Sequence, residues 1–326
     1  MKNKIIECAK KYDTDIIGFA SADRFSKDDA IFKVFPDTKT VIGLGFRVLR
    51  GICRGVEEGT TYYQYTTMGV ENLEETVMPL ALINVSNVIE EEGFEAVPQR
   101  KNQLIMNETE GTNPEMDYVD VVRGVTAENQ IDFLNCAVMC GLGEKSMINS
   151  LLTPEYGPFI RYCFILTDAE LESTELVKPT LCDKCGKCIK ACPGGAIDAN
   201  GNLDSWRCTV YYNGANGSKN PFMPPDAYMD FENRLDIIKG TAEFDEKTAK
   251  DIIDNTYFYP PAKHYYRTSI CGRACDRACY IHLEEKGVLT KKFKKKFRNN
   301  EDWSLSQKQF ETLKREKEWD FTKNDI

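Results

Sequence analysis

The sequence predicts an α+β fold in two parts. Helix and strand patterns alternate before residue 176, four cysteines and a proline crowd residues 182–193, and four more cysteines follow at Cys208, Cys271, Cys275 and Cys279. A chain of 326 residues has room for about two domains. Near the start, Ile5, Ile6, Ala9 and Tyr12 fall close to one face of a helix. Residues 16–20 then read as a buried strand, and residues 41–48 as a second after a turn at Pro36. Residues 71–92 carry a helical pattern with Leu73, Val77 and Leu80 on one face. Pro79 lacks a backbone donor, so the helix is expected to kink or split there. Residues 162–166 form another strand, and the charged stretch 168–179 reads as a linker.

The cysteines carry the chemistry. Cys182, Cys185, Cys188 and Cys192, followed by Pro193, spell C-x2-C-x2-C-x3-C-P. In bacterial ferredoxins the first three thiolates of this run hold one 4Fe–4S cluster, and the fourth ligates a second. Zinc is the competing reading, but zinc sites use paired C-x2-C units and accept histidine, whereas these four thiols come in one run. The crossed pattern assigns Cys182, Cys185, Cys188 and Cys279 to a first cluster. Cys192, Cys208, Cys271 and Cys275 then hold the second. The last trio is less regular: its spacings are x3 and x3, and Tyr280 stands where a proline is expected. Its alternative reading is a helix with cysteines stacked at i, i+4 and i+8. The expected domains are 1–176 for cofactor and substrate, 177–286 as a ferredoxin-like domain with two 4Fe–4S clusters, and 287–326 as a polar, basic tail.

Thirteen cysteines without a secretory signal read as a reduced compartment in which thiols bind metal. The opening MKNKIIECAKKYDTDIIGFA lacks an apolar signal core and a twin arginine, and no run approaches the roughly 18 apolar residues that cross a bilayer. A cytoplasmic chain with no membrane partner is expected. Cys8, Cys53, Cys136, Cys140 and Cys163 are expected to be mostly small buried residues, with an extra metal site at Cys136 and Cys140 as the minor alternative. The net charge of −9 argues against a general polyanion-binding surface. The exception is KKFKKKFR at 291–298, read as a solvated face with two aromatics tucked in, or as a docking patch for an acidic redox partner.

Ferredoxin modules alone need far less chain, so the first domain is expected to be a catalytic unit wired to the clusters. The segment CGLGEKSMINSLLTPEYGPFIRYCFILTD (140–168) resembles the stretch that precedes the ferredoxin module in reductive dehalogenases. DIIGFASAD and EEEGFEAVPQR also look like that family and its relative, epoxyqueuosine reductase. The resemblance spans most of residues 1–283 and is strongest over 141–196. It implies an N-terminal domain similar in fold to flavin nitroreductases, holding a base-off cobalamin fed by two 4Fe–4S clusters. A low-potential donor such as ferredoxin or flavodoxin would supply the electrons.

In that frame Gly141 and Gly143 let backbone approach a large planar ring, while Ser146, Thr153 and nearby amides hold its side-chain amides. The alternative is an ordinary tight turn between helix and strand. The chain lacks a DxHxxG corrinoid motif, and its two histidines, His264 and His282, lie in the cluster half. Epoxyqueuosine reductases carry an acidic residue in a Val-Asp-x-x-Pro-like setting; Asp120 and Asp132 lie in the region but lack that proline. Helical repeats to grip a tRNA are also missing, so a small-molecule substrate, or a corrinoid protein, is expected with no nucleic-acid partner. For a proton donor, Tyr63 is favoured within the group Tyr62, Tyr63 and Tyr65. Arg161 is expected to position an anionic group or to pair with Glu155.

Three functions follow. The chain is a cobalamin-dependent iron–sulfur reductase, an electron-transfer protein that reduces the corrinoid of a partner, or a reductase holding FMN in place of cobalamin.

Overall fold

The computed structural model describes residues 1–58, 63–100, 130–217, 220, 222–254, 256 and 269–298. It divides into two compact units. The first comprises Met1–Arg50, Met68–Cys185 and His282–Lys295, and the second Gly51–Thr67, Gly186–Ile281 and Lys296–Ile326.

The first unit is built on an antiparallel sheet of β1 (Ile16–Ser21), β2 (Thr40–Arg47), β3 (Ala96–Gln99) and, after the short hairpin β4 (Glu144–Lys145) and β5 (Leu151–Leu152), β6 (Ile160–Thr167). The strand order is β1-β2-β6-β3, with Ile42 opposite Phe19 on one side and Ile165 on the other. Almost every residue of β2 is buried because both faces of the sheet are covered. On one face Phe19, Ile42, Leu44 and Ile165 pack against Ile5 and Ala9 of the helix Lys2–Lys11 and against Ala81, Val85 and Ile89 of the helix Met78–Glu90. On the other, Val41, Phe164 and Leu166 meet Ile31, Phe35 and the helix Phe133–Met139. Each of the buried Val, Leu, Ile and Phe side chains among these contributes about 1.5–3 kcal/mol.

The strands and the first helix appear where the apolar patterns place them. The 71–92 segment does not split at Pro79: Asn72, Val77 and Met78 all keep right-handed helical backbone, and the π turns Thr67–Glu71 and Leu73–Val77 run straight into the helix Met78–Glu90. The wider π turns change the helical phase, so Leu80 lies 51% exposed and Met78, Ala81 and Leu82 face the core instead. The 168–179 stretch is no free linker. Thr174 donates its N–H to the Phe19 carbonyl at 2.8 Å and accepts the Phe19 N–H on its hydroxyl at 3.0 Å, while the Ser173 hydroxyl accepts from Ser21.

The second unit is helical where described, with Ser205–Tyr212, Arg234–Lys239, Glu246–Asp254 and the start of Ala274–Lys286. Within it Phe297 is fully buried, with its ring edge-on to Tyr280 at 5.5 Å. Phe293, in the first unit, stays half exposed and lies under the Arg50 guanidinium at 4.3 Å, so one of the two aromatics of the basic stretch is tucked in. No helix among the described residues is long and apolar enough to cross a membrane.

Candidate metal centre

Proximity first appears among the thiols of the second unit. Cys208 lies on the helix Ser205–Tyr212, which Asp204 caps by accepting the Arg207 N–H at 3.0 Å. Burial, and the nearby Cys271 and Cys192, push its thiol up to about 12. Cys271 is pushed up to about 11 by burial and Cys192, and Cys275 is raised by burial, Asp276, Cys271 and Cys208. Cys208 and Cys271 thus lie within electrostatic reach of Cys192, and Cys275 within reach of Cys271 and Cys208, which puts the set the crossed pattern assigns to one cluster in one neighbourhood. A bound metal reverses the repulsion between neighbouring thiolates. Cys271 precedes the helix Ala274–Lys286, and only Cys275 and Cys279 lie on it, so the trio is no single helical stack.

Backbone N–H groups already point at three of the sulfurs. Ala196 donates to Cys192 Sγ at 3.2 Å, Ala274 to Cys271 Sγ at 3.5 Å and, in the first unit, Met147 to Cys182 Sγ at 3.4 Å. Such bonds to sulfur raise a cluster's reduction potential. In the other predicted set, Cys182 and Cys185 belong to the first unit and Cys188 and Cys279 to the second.

Two residues that the spacing rules pass over hold these loops. Glu144, the acidic residue of GLGE, is 3% exposed, and its carboxylate accepts the N–H groups of Thr180, Leu181 and Cys182 at 2.6, 2.9 and 2.7 Å. A charged acceptor therefore fixes the approach to the first cysteine of the run. Gly194, just after Pro193, has no room for a side chain: a Cβ would sit 1.8 Å from the Tyr211 ring. That ring is buried and pinned by its hydroxyl, which donates to the Ile237 carbonyl at 2.8 Å. Gly194→Val is expected to destabilise the protein by about 3 kcal/mol through overpacking, read as a lower Tm with matching loss of iron.

The residues expected around a corrinoid gather on one stretch of the first unit. Gly141 adopts φ +72°, and a Cβ there would meet the Glu175 carbonyl at 2.4 Å; at Gly143 it would meet the Leu152 carbonyl at 2.3 Å. The chain's own backbone therefore fills the space that both glycines leave open. The Ser146 hydroxyl accepts the Ser150 N–H at 3.0 Å, and the fully buried Thr153 hydroxyl accepts from Tyr156 at 3.1 Å. These bonds order the segment and use each hydroxyl as an acceptor, a role that leaves a hydroxyl able to donate as well.

Arg161 lies beside Glu74, with Nε 3.5 Å from Oε1, rather than beside Glu155, because β6 directs it toward the buried π segment. Asp132 caps the helix Phe133–Met139 by accepting the Asn135 N–H at 2.9 Å. Asp120, Tyr62 and His264 lie outside the described residues; Tyr63 opens the short helix Tyr63–Thr66, and Tyr65 is buried and within electrostatic reach of Arg273. His282 Nε2 and Lys286 Nζ both reach the Asp183 carboxylate, at 2.9 and 2.8 Å, which holds that carboxyl well below its ordinary range. Cys136 and Cys140 are buried in the apolar core, where desolvation pushes both thiols up, and Cys140 lies 3.3 Å from the Val41 carbonyl. They pack rather than bind metal.

Comparison with known proteins agrees with the thiol geometry. Residues 176–198 match the 4Fe-4S binding domain. The chain is 23% identical over 257 residues to epoxyqueuosine reductase of Bacillus subtilis, covering 72% of this chain and 60% of that protein, so it spans less than two thirds of that relative's length. It is 34% identical over 64 residues to the tetrachloroethene reductive dehalogenase of Sulfurospirillum multivorans, covering 19% of this chain and 13% of the other. Among solved structures it is similar to an epoxyqueuosine reductase with an epoxyqueuosine-modified tRNA-Tyr stem loop, at a TM-score of 0.44 and 15% identity, covering 97% of this chain and 98% of that one.

The match to epoxyqueuosine reductases corrects the expectation of no nucleic-acid partner. The expectation came from a net charge that averages over the whole chain, whereas polyanion binding is decided locally, as exposed lysines such as those at 291–296 illustrate. The expected resemblance is borne out: the chain is similar over most of its length to an epoxyqueuosine reductase and over a shorter stretch to a reductive dehalogenase, and it carries a 4Fe-4S binding motif.

Proposed function

We propose that this protein is an iron–sulfur reductase with two 4Fe–4S clusters and cobalamin as a further cofactor. The observation that carries the reading is the gathering of Cys192, Cys208, Cys271 and Cys275 in one unit, two of them already accepting backbone N–H bonds at sulfur. Cys182, Cys185, Cys188 and Cys279 complete the ligand count by their spacing. Cobalamin, when bound, supplies a reducible cobalt centre at which a carbon–heteroatom bond is cleaved. Its place here rests on the family resemblance.

What the chain's own residues do is clearer. Glu144 orders the loop entering the first cluster, and Cys271 brings a buried sulfur to the second. Tyr63 is the proposed proton donor; Tyr65, two residues on, is buried within electrostatic reach of Arg273. A low-potential ferredoxin or flavodoxin supplies the electrons, and the substrate is an organic compound, free or carried on RNA.

Oxygen-free purification is expected to give about eight irons per chain, and Cys185→Ala about four, by the rule of four irons per four-thiolate set. Zinc, or four irons or fewer in the unaltered chain, overturns the cluster reading. Titration with cobalamin is expected to give a cob(II)alamin spectrum on reduction; a flavin band instead moves the protein to the FMN alternative. Turnover of an organohalide and of an epoxyqueuosine-modified stem loop, assayed side by side, separates the two substrate classes.

A further inference from the structure

The second unit contains a buried charge network that neither the cysteine pattern nor the comparisons assign. Arg277 lies between Cys275 and Cys279 in sequence and is 1% exposed. Its guanidinium makes three kinds of contact. Nε donates to the Gly272 carbonyl at 3.0 Å, Nη2 donates to the Cys271 carbonyl at 2.8 Å, and Nη1 pairs with the Glu57 carboxylate. Glu57, itself buried, also accepts from Arg298 Nε.

The backbone that Arg277 grips is strained. Gly272 and Arg273 adopt successive positive φ angles of 51° and 50°, a conformation costly for arginine. A Cβ at Gly272 would sit 2.7 Å from Val56 Cγ1, so the segment carrying Glu57 also packs directly on this turn. The same turn sets the direction of Cys271 Sγ and presents the Ala274 N–H to it.

We propose that Arg277 is a positioning residue for the second cluster. It clamps the Cys271–Arg273 turn through two carbonyls, and Glu57 and Arg298 hold the guanidinium in place. A bare buried arginine is costly, and the Glu57 carboxylate, shared with Arg298, offsets the Arg277 charge where it is held. The guanidinium so fixed lies against the Cys271 carbonyl, and a positive charge beside the ligand turn favours the reduced cluster, so Arg277 also sets the cluster's potential. A merely structural arginine would leave the potential alone.

This inference rests on Cys271 being a cluster ligand, and the experiment separates the two ideas. Cys271→Ala, Arg277→Gln and Arg277→Lys are prepared in the full chain under oxygen-free conditions. Iron content and the EPR-monitored potentials of both clusters are measured. Cys271→Ala is expected to lose one cluster; retention of both defeats the ligand assignment itself. With that ligand confirmed, Arg277→Gln is expected to lower the potential of that cluster alone and to speed its loss to a chelator. Arg277→Lys, which keeps the charge without the fork, is expected to restore the potential but not the resistance to chelation. If Arg277→Gln folds and leaves both properties unchanged, the positioning role is wrong. If Arg277→Gln does not fold, Glu57→Gln replaces it: that substitution raises the net charge of the network and is expected to raise the same potential. An unchanged potential there also overturns the proposal.

Discussion

Glu144→Ala is expected to destabilise the protein by about 3–5 kcal/mol and to strip the cluster that begins at Cys182. Three backbone donors converge on this one carboxylate, and all three belong to the residues that lead into the cysteine run. Removing the acceptor leaves the N–H groups of Thr180, Leu181 and Cys182 without it, at about 1–3 kcal/mol for each that water does not reach. Glu144→Gln is the sharper test of mechanism. It keeps the shape and one acceptor oxygen but turns an NH2 donor toward at least one N–H, so it is expected to fall between the unaltered protein and the alanine variant. Denaturant unfolding of the iron-loaded chain measures the stability, and iron content measures the cluster. A Glu144→Ala protein with full iron and unchanged unfolding would show that the loop is ordered by the cluster alone.

Glu144 also marks where sequence reasoning stops. Its partners lie 36–38 residues away, and no spacing rule links a hairpin carboxylate to a distant backbone. Gly194 is invisible for a similar reason, since only the packed Tyr211 ring forbids a side chain there. The run Cys182–Cys192 was legible because thiolate geometry around a cubane cluster imposes its spacing on the chain itself. The strands around Ile42 and Ile165 were legible because a sheet covered on both faces reads as a continuous apolar run. Leu80 was misplaced because a uniform helical phase was carried through the π turns that precede it. The segment Gly51–Thr67 is the deepest case: it reads as part of the first domain, yet it belongs to the second compact unit. Its anchor there, Glu57, is 220 residues from Arg277 in sequence. Long-range ion pairs of that kind leave no local periodicity to read.

Cys208→Ala is expected to halve the iron, from about eight atoms per chain to about four, and to abolish the spectrum of one cluster while sparing the other. Cys208 has no neighbouring cysteine in sequence, so its place in the set rests on the thiols it meets in space. Burial and the surrounding sulfurs hold Cys208 and Cys271 at about 12 and 11, above the ordinary thiol value. Empty, the site therefore holds protonated thiols at neutral pH, and taking up a cluster must release protons. Because these pKa values are raised, the sign is fixed: reconstitution of this cluster becomes more favourable as pH rises from 7 toward 9. Iron uptake followed across that range in Cys185→Ala and in Cys208→Ala isolates each set in turn. A Cys208→Ala chain that still takes up two clusters would remove Cys208 from the ligand set and leave its neighbours to find a fourth sulfur elsewhere.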